Sequence, residues 1–370
     1  MYSIGWDCTS TDTFPEGESS MNVLVTGGAG FIGRSLVRQL AEAGHNVLVL
    51  DNFSFSNQGQ IVSQPNVTWV EGDTRDFGLM KTLVADVDLV AHLAAPSSFI
   101  MHVEDDLSAC NFTMMGFKTV MEAMRATDKK KIVWTSTSAV YEEWGLPPRV
   151  PFREDMSIDL PDSKAGCKVW CEQEAQRYVN RYGFTSIAFR PFSVYGVGEH
   201  TKKGYANVTS LFTWAMMAGK RPIVWRPGLQ TRDFIFVDDA ARAIKMAIEN
   251  DDLQSTVLNL GYGVEHTFLD VIEIIASQLG TLIPEPEWVD VPIQIYAHRL
   301  WADTKKIERE LGFRPEVTLE EGIRRIIAAA QEFSPEIWRE FSLGEGQDYF
   351  KTLPVVPEAF PMEVDVEEPV

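Results

Sequence analysis

The amino-acid sequence predicts an α/β fold, with a doubly wound parallel sheet followed by a smaller C-terminal domain. Over residues 21–190, short apolar, β-branched runs alternate with stretches of helical apolar spacing. Strands that are apolar throughout are typical of parallel sheets covered by helices on both faces. The chain of 370 residues is long enough for two domains of ordinary size.

The first unit of this fold begins near Met21. The segment NVLVTGGAGFIGRSLVRQLAEAGHNVLVLDNF predicts a strand, a glycine turn, a helix that stops at a glycine, and a second strand. Further strands are predicted at VTWVEGD, DLVAHLAA, KIVWTSTS and TSIAFRPF. Long helices are predicted over residues 105–127 and 165–182.

The alternation of predicted strands and helices breaks after residue 190, and this break marks the predicted domain boundaries. Residues 21–190 and about 230–265, where RDFIFVDDAARAIKMAI and TVLNLGYG resume the strand–helix pattern, are predicted to form the sheet domain. Residues from about 191 to 229 and from 266 to 345 are predicted to form the smaller domain.

The charge distribution narrows the classes of partner. Residues 1–20 carry four acidic and no basic side chains, and the last eighteen residues carry five acidic and no basic ones, out of a net charge of −20. We expect residues 1–20 to be a mobile extension and residues 346–370 to be an acidic, proline-rich tail. The rest of the chain is still acidic, which argues against nucleic acid or an anionic membrane as a partner.

The sequence predicts neither a membrane protein nor a metalloprotein. It contains no run of 18 apolar residues, and its start lacks the pattern of a signal peptide, so a cytoplasmic location is predicted. The six histidines show no metal-ligand spacing. Cys167 and Cys171 could share a helix face, but without nearby histidines they are predicted to be buried apolar side chains, and no metal is expected.

The glycine-rich segment TGGAGFIG follows a strand and opens a helix. Gly27 allows a tight turn, Gly30 lets backbone amides approach a pyrophosphate, and Gly33 allows close packing of helix and strand. A simple strand–helix turn would also use these glycines. Asp51 ends the next strand, where a carboxylate accepts hydrogen bonds from adenosine ribose hydroxyls and repels a 2′-phosphate. The glycine turn and Asp51 together therefore favour NAD over NADP as the cofactor.

The order of the motifs resembles the extended short-chain dehydrogenase/reductase family, specifically its NAD-dependent nucleotide-sugar epimerases and dehydratases. The resemblance covers about residues 21–335, and it is carried by TGGAGFIG, LDNFS, GDTRD, VAHLAAPSS, NFTMMG, WTSTSAVYE, KAGCK, RPFSVYG, QTRDFIFVDDAARA and WADTKKIERELGFRP. It implies a Rossmann-type fold with a C-terminal substrate-binding domain and NAD as the cofactor. Beyond the glycines and Asp51, it implies cofactor contacts from Phe31, Ile32, Asn52, Asp73, Thr74, Leu93, Ala94, Ala95 and Lys168. A plain turn role for Asp73 stays open.

The resemblance also implies three residues at the reaction centre. Thr137 lies four residues before Tyr141 and matches the family's hydroxyl residue. Lys168 matches the lysine of a YxxxK pair, which holds the nicotinamide ribose. The position four residues earlier, where the family has the tyrosine that transfers the proton, is Lys164 in this chain.

We expect Lys164 to act as the acid and base in place of the tyrosine. A lysine becomes a base when it is neutral, and the positive charges of Lys168 and an oxidised nicotinamide favour the neutral amine. Three alternatives are open: a solvated loop residue, a ligand for a substrate phosphate or carboxylate, and a protein that has lost redox chemistry.

The residues after Thr137 favour epimerisation. Family dehydratases have Asp-Glu there, whereas this chain has Ser138-Ala139. The predicted reaction is C4 epimerisation through a transient 4-keto intermediate, with a nucleotide-sugar decarboxylase or a 4,6-dehydratase as the alternatives. A non-catalytic NAD-binding regulatory protein is the alternative of another class.

The resemblance implies a UDP-sugar as the favoured substrate. Arg232 matches the arginine that clamps the diphosphate, for which a guanidinium is well suited. The further substrate contacts that it implies are Ser97 and the segment GYANV (204–208), with Asn207 and Val208. Two more substrate contacts are expected where the chain departs from the family pattern: Ser193 stands in place of the usual asparagine, and Arg299 would compensate for a missing Arg-Pro-Gly-Asp segment. The two long helices match those of the family's dimer interface, so a homodimer is expected.

Overall fold

The structure is a computed structural model that describes residues 20–54, 56, 62–141, 150–156, 158, 162–291, 298–340, 342–348 and 351. Most of the predicted N-terminal extension and all but four residues of the acidic tail lie outside this part of the chain. In the described part, no helix is long and apolar enough to cross a membrane.

The strands, in chain order, are β1 (Asn22–Thr26), β2 (Asn46–Asp51), β3 (Val67–Glu71), β4 (Leu89–His92), β5 (Lys131–Thr135), β6 (Thr185–Pro191), β7 (Ser193–Tyr195), β8 (Ile223–Trp225), β9 (Thr231–Phe236), β10 (Thr256–Leu260), β11 (Glu265–Thr267), β12 (Glu287–Val289) and β13 (Arg299–Leu300). The helices are α1 (Phe31–Glu42), α2 (Phe77–Ala85), α3 (Phe99–Glu104), α4 (Asp106–Ala126), α5 (Ser163–Tyr182), α6 (Val208–Met217), α7 (Val237–Glu249), α8 (Phe268–Leu279), α9 (Lys305–Leu311), α10 (Leu319–Gln331) and α11 (Pro335–Glu340).

The central sheet has seven parallel strands in the order β10-β6-β5-β4-β1-β2-β3. The strand order reverses at β1, which lies between β2 and β4. In sheets of this kind, ligands bind outside the carboxyl ends of the strands at the reversal point. The predicted α/β, Rossmann-type fold is therefore confirmed, and its topology indicates where to look for a cofactor.

Helices cover both faces of this sheet. Successive residues of a strand point to opposite sides, so one strand contributes to the core on each face. Val23 and Val25 of β1 pack with α1 and α7 in one buried core. Leu24, between them, belongs to a second core with α2, α4 and α5. Both faces of the sheet are buried, which explains why its strands read as continuous apolar runs.

The smaller domain has its own core on the C-terminal side of the sheet. Strand β9 pairs with β7, β11 and β13 rather than joining the seven-stranded sheet, whereas β10 does join it. The segment of about 230–265 is thus divided, with β9 next to the smaller domain and α7 and β10 in the large one. The core of the smaller domain combines aliphatic side chains with several aromatic ones, among them Tyr195, Phe212, Trp214, Phe234 and Phe236.

Candidate active site

The turn between β1 and α1 requires glycine at two positions. Gly27 has a φ of +72°, and a Cβ there would lie 2.7 Å from the backbone nitrogen of Ala94. A Cβ on Gly33 would lie 2.2 Å from the carbonyl oxygen of Gly27. The amide of Gly30 donates to that same oxygen at 3.1 Å. The first turn of α1 can therefore pack directly against the end of β1, as a pyrophosphate cradle requires.

The N-terminus of α1 is left open for an anion. Gly30 is the N-cap, and it has no side chain to satisfy the amides of the first helical turn. No acidic residue lies in that first turn. Backbone amides and the helix dipole therefore favour a negatively charged ligand at this point.

A cleft lies beside this turn and collects most of the predicted cofactor residues. It is lined by Gly27, Gly30, Leu50, Asp51, Asn52, Ser56, Gly72, Thr74, Leu93, Ala94, Ala95, Pro96 and Phe112. Phe31, Ile32 and Gly33 lie next to it at the start of α1, although they do not line it.

Asp51 is oriented by three hydrogen bonds at the end of β2. The amides of Ala29 and Phe53 donate to its carboxylate at 3.0 and 2.9 Å, and the Ser56 hydroxyl donates at 3.1 Å. The carboxylate is thereby fixed beside the glycine turn. This position suits recognition of a ribose diol.

Asp73 has a different environment from the one expected. Its carboxylate pairs with Arg75 at 2.7 and 2.9 Å and accepts a hydrogen bond from Asn52 at 3.2 Å, and Asp73 is not among the residues lining the cleft. The hydrogen bond from Arg75 is the main cause that lowers the pKa of Asp73. The Arg75 guanidinium also lies 3.9 Å from the centre of the Phe112 ring, a wall of the cleft. Sequence reasoning missed Arg75, although GDTRD contains it.

Lys168 is buried behind the cleft. Its Nζ donates to the carbonyl oxygen of Thr135, at the end of β5, at 2.7 Å. Burial lowers the pKa of Lys168 below its ordinary value, and the positive charge of Lys164 acts in the same direction. Thr137 is also buried, two residues beyond β5, and its Oγ1 accepts a hydrogen bond from the amide of Ala139 at 3.2 Å.

Lys164 is the second residue of α5 and is half-buried. The helix begins one residue earlier, after Asp162, whose carboxylate caps it by accepting from the amide of Ala165 at 2.7 Å. The alternative of a loop residue that precedes the helix is therefore wrong. Lys164 is also close enough to His102 for its positive charge to lower the pKa of that ring, after the larger effect of burial.

A buried ion pair holds α5 in place behind Lys168. The guanidinium of Arg190, on β6, donates to Glu172 of α5 at 2.6 and 2.9 Å. The Ser136 hydroxyl donates to the same carboxylate at 2.6 Å, and Arg190 also donates to the Tyr141 hydroxyl at 2.6 Å. This network joins β5, α5 and β6 at the carboxyl edge of the sheet.

A second cavity, of about 300 Å³, lies between α3 and the smaller domain. This volume is at the lower end of the range for small-molecule sites. Its walls are Ser98, Ile100, Ser193, Gly204, Tyr205, Ala206, Asn207, Val208, Phe212, Ile223, Trp225, Arg232 and Phe268. It thus includes four of the predicted substrate residues: Ser193, Asn207, Val208 and Arg232.

Two predicted substrate residues do not line this cavity. Ser97 is exposed, and its neighbour Ser98 faces the cavity instead. Arg299 forms an ion pair with Glu265, which also accepts from the Thr231 hydroxyl at 2.7 Å. Arg299 lies one strand away from Arg232, because β13 pairs with β9.

The wall that carries Tyr205 and Asn207 is organised by one buried carboxylate. Glu199 is fully buried, and it accepts from the amide of Asn207 at 3.0 Å and from the Ser210 hydroxyl at 2.6 Å. Lys202 pairs with the same carboxylate at 2.8 Å. Sequence reasoning missed Trp225 and Phe268 as cavity residues, because isolated aromatic side chains are typical of a core.

Residues 23–261 match the NAD dependent epimerase/dehydratase family. The chain belongs to this family. Among its relatives, a putative UDP-glucose 4-epimerase of Methanocaldococcus jannaschii is 34% identical over 308 residues, which covers 82% of this chain and 97% of the relative. The predicted family membership is confirmed.

Solved structures of the epimerase/dehydratase family agree with the fold. The UDP-glucose 4-epimerase of Thermotoga maritima, solved with UDP-glucose, has a TM-score of 0.78 and 26% identity over 84% of this chain and 99% of its own. The Thermus thermophilus UDP-glucose 4-epimerase, solved with NAD, has a TM-score of 0.75 and 26% identity over 85% of this chain and 100% of its own. As a family member, the protein is an NAD-dependent enzyme, as predicted.

The residues present fit the family's cofactor. The glycine cradle, the open N-terminus of α1 and the fixed carboxylate of Asp51 offer a site for a pyrophosphate and a ribose without a 2′-phosphate. When bound, NAD supplies a hydride acceptor that is regenerated in the same turnover.

Proposed function

We propose that this enzyme catalyses C4 epimerisation of a UDP-sugar. The observation that carries the proposal is the second cavity, whose lining combines Arg232 with the N-terminus of α6. Its lining reaches α3, and His102 of α3 is within electrostatic range of Lys164. The relatives named as UDP-glucose 4-epimerases support the same assignment.

Arg232 and the aromatic walls would bind the nucleotide diphosphate. A guanidinium offers paired charge-assisted hydrogen bonds to phosphate oxygens. The Arg232 guanidinium lies 5.7 Å from the centre of the Phe268 ring, which holds it against the cavity wall. Trp225 and Phe268 give flat apolar surfaces for a base.

At the reaction centre, Lys164 would take the proton of the sugar 4-hydroxyl on oxidation to the 4-keto sugar and would return it to the same oxygen on reduction. The configuration inverts because the hydride would return to the opposite face of C4. Lys168, held by the Thr135 carbonyl, would bind the nicotinamide ribose and supply a neighbouring positive charge that favours the neutral form of Lys164. Thr137 would donate a hydrogen bond to the reacting oxygen. The two lysines at positions 164 and 168 thus have different roles.

The residues after Thr137 favour epimerisation over dehydration. Elimination needs an acid and a base at C6 and C5, and Ser138 and Ala139 supply neither. Oxidative decarboxylation of a UDP-uronic acid is the second candidate, because Lys164 could hold a sugar carboxylate. A non-catalytic NAD-binding protein is disfavoured by the buried arrangement of Thr137 and Lys168.

A homodimer through α4 and α5 is part of the proposal. Leu107 and Met115 of α4 are 82% and 51% exposed, and exposed apolar side chains about two turns apart on one helix suit a helix–helix interface. The cytoplasmic location stays a prediction.

The test is product analysis by NMR after incubation with UDP-glucose, UDP-galactose, UDP-N-acetylglucosamine and UDP-glucuronate. We expect one of these to be converted to its C4 epimer with no net NADH. The Arg232→Gln variant should raise KM, whereas Arg226→Gln, an exposed arginine outside the cavity lining, should not. A pentose product would identify a decarboxylase, and binding of NAD with no conversion of any sugar would contradict the proposal.

A further inference from the structure

Three potential metal ligands lie together at the junction of α3 and α4. His102 is on α3, and Asp106 and Cys110 are on the first two turns of α4. A ring nitrogen of His102, a carboxylate oxygen of Asp106 and the sulfur of Cys110 all lie within 4.8 Å of one another. The spacing of four residues brings all three to one side of the chain.

His102 itself gives an independent indication of a ligand. Its ring is 4% exposed, and neither ring nitrogen has a hydrogen-bond partner among the described residues. Its Nδ1 points toward the cluster, 3.6 Å from Oδ1 of Asp106, which is longer than a hydrogen bond. Burying an imidazole without a partner is costly, and a bound cation would remove that cost.

Cys167 of α5 does not belong to this group, because the ligand atoms that lie within 4.8 Å of one another come from His102, Asp106 and Cys110. Cys167 is buried in the turn of α5 that separates Lys164 from Lys168. The cluster therefore offers three protein ligands, all from α3 and α4.

Two separations in the cluster fit a tetrahedral site. With zinc–ligand bonds of about 2.0–2.3 Å, neighbouring ligand atoms of a tetrahedron are roughly 3.3–3.8 Å apart. The separations are 3.6 Å from His102 Nδ1 to Asp106 Oδ1 and 3.4 Å from that oxygen to the Cys110 sulfur, and both lie within this range.

The carboxylate is also oriented for this role. The Ser163 hydroxyl donates to Oδ2 of Asp106 at 2.9 Å, which leaves Oδ1 directed at His102 and Cys110. Hydrogen bonds of this kind orient metal ligands in many proteins. The Asp106 side chain is 54% exposed, so an ion can reach the cluster from solvent.

We propose that His102, Asp106 and Cys110 form a zinc site at the junction of α3 and α4. One sulfur, one imidazole and one carboxylate suit Zn²⁺ and disfavour Mg²⁺ or Ca²⁺. With three protein ligands, the fourth tetrahedral position would be taken by water. The site is independent of the proposed sugar substrate.

The test uses the full-length chain without an affinity tag, stripped with chelator and titrated with Co²⁺. We expect one cobalt per chain, with thiolate-to-cobalt charge transfer and the ligand-field bands of a tetrahedral ion, and displacement by Zn²⁺. Cys110→Ser and His102→Ala should each weaken Co²⁺ binding by at least about tenfold. Cys171→Ser is the matched control, because Cys171 lies one turn beyond Cys167 and its thiol contacts the Thr113 carbonyl instead.

Retained far-ultraviolet circular dichroism and NAD binding will show that each variant is folded. The proposal is overturned if the folded wild-type chain binds no cobalt, or binds it without thiolate charge transfer. It is also overturned if Cys110→Ser and His102→Ala bind as tightly as Cys171→Ser.

Discussion

At the residue scale, a lysine acting at position 164 in place of the family's tyrosine would alter the acid–base chemistry of the site. A tyrosine in this position needs positive neighbours to become an anion, whereas a lysine needs them to become neutral. The same surroundings, with Lys168 one turn away, therefore serve either side chain. Each side chain loses one proton to become the base, but the tyrosine base is an anion and the lysine base is neutral.

We predict that Lys164→Met lowers kcat by about 10²–10⁴-fold, the usual contribution of a general base. Lys164→Tyr should retain more activity, because a phenol can perform the same transfer beside Lys168. The measurement is kcat against pH, with Lys245→Met on α7 as the control. Undiminished turnover of the Met variant would show that another group moves the proton.

A second prediction concerns the buried imidazole of His92. Burial lowers its pKa from 6.5 to about 3, and its Nδ1 contacts the Thr26 hydroxyl at 2.8 Å. Between these two pKa values the unfolded chain binds a proton on His92 that the folded chain does not bind. Stability should therefore fall as the pH is lowered, by up to about 1.4 kcal/mol per pH unit from this group.

Urea unfolding at a series of pH values between 6.5 and 3 measures this effect. His92→Asn should be less sensitive to acid than the wild type, whereas His298→Asn, at an exposed position, should match the wild type. An equal acid sensitivity in all three proteins would contradict the assignment.

At the element scale, the β1–α1 turn depends on close backbone contact rather than on side chains. We predict that Gly33→Ala destabilises the fold by about 1–3 kcal/mol, because its Cβ would overlap the Gly27 carbonyl. NAD affinity should fall as well, since the turn has to shift. Chemical denaturation and NAD titration provide the two measurements.

Gly78→Ala is the matched control for that change. A Cβ there would make only an ordinary contact, at 3.4 Å, with the Asp76 carboxylate. Because alanine favours helix, this variant should gain about 0.5–1 kcal/mol. A Gly33→Ala protein as stable as Gly78→Ala would refute the packing argument.

The buried Arg190–Glu172 pair yields a prediction about how α5 is attached to the sheet. Arg190→Met should cost about 3–5 kcal/mol, because it leaves the Glu172 carboxylate buried without a cation. The double variant Arg190→Met/Glu172→Gln should recover part of that loss. Urea unfolding is the measurement.

Arg177→Met tests whether burial is the cause. Arg177 also pairs with a glutamate of α5, but its side chain is 56% exposed, against 3% for Arg190. Its loss should cost no more than about 1 kcal/mol. Similar losses in both single variants would mean that burial does not decide the cost.

At the scale of the whole molecule, the sequence predicts best what local patterns determine. The strands and helices of residues 21–190 have clear apolar periodicity, and the glycine turn and Asp51 have a fixed spacing. The sequence therefore predicts both the secondary-structure elements and the cofactor motif of this part of the chain. Contacts between distant segments were not predictable in this way. The pairing of Arg299 with Glu265, the position of β9 and the meeting of His102 with Cys110 depend on how the elements pack.

A contact between the two domains supports a prediction about closure over the second cavity. The Tyr205 hydroxyl, on the wall from the smaller domain, donates to Glu104 of α3 at 2.5 Å. Tyr205→Phe should raise KM by roughly two- to tenfold, the equivalent of one lost hydrogen bond, with little change in kcat. Steady-state kinetics with the active UDP-sugar measure the effect, and an unchanged KM would show that the contact does not assist binding.

The attachment of α5 has a consequence for the history of the enzyme. The helix is anchored by residues on its buried face and by the Glu172 network, and Lys164 is not among the buried residues of that face. Natural selection can therefore exchange the amino acid at this point without rebuilding the interior. A fold of this kind can stay the same in related enzymes while the chemistry of one active-site position changes.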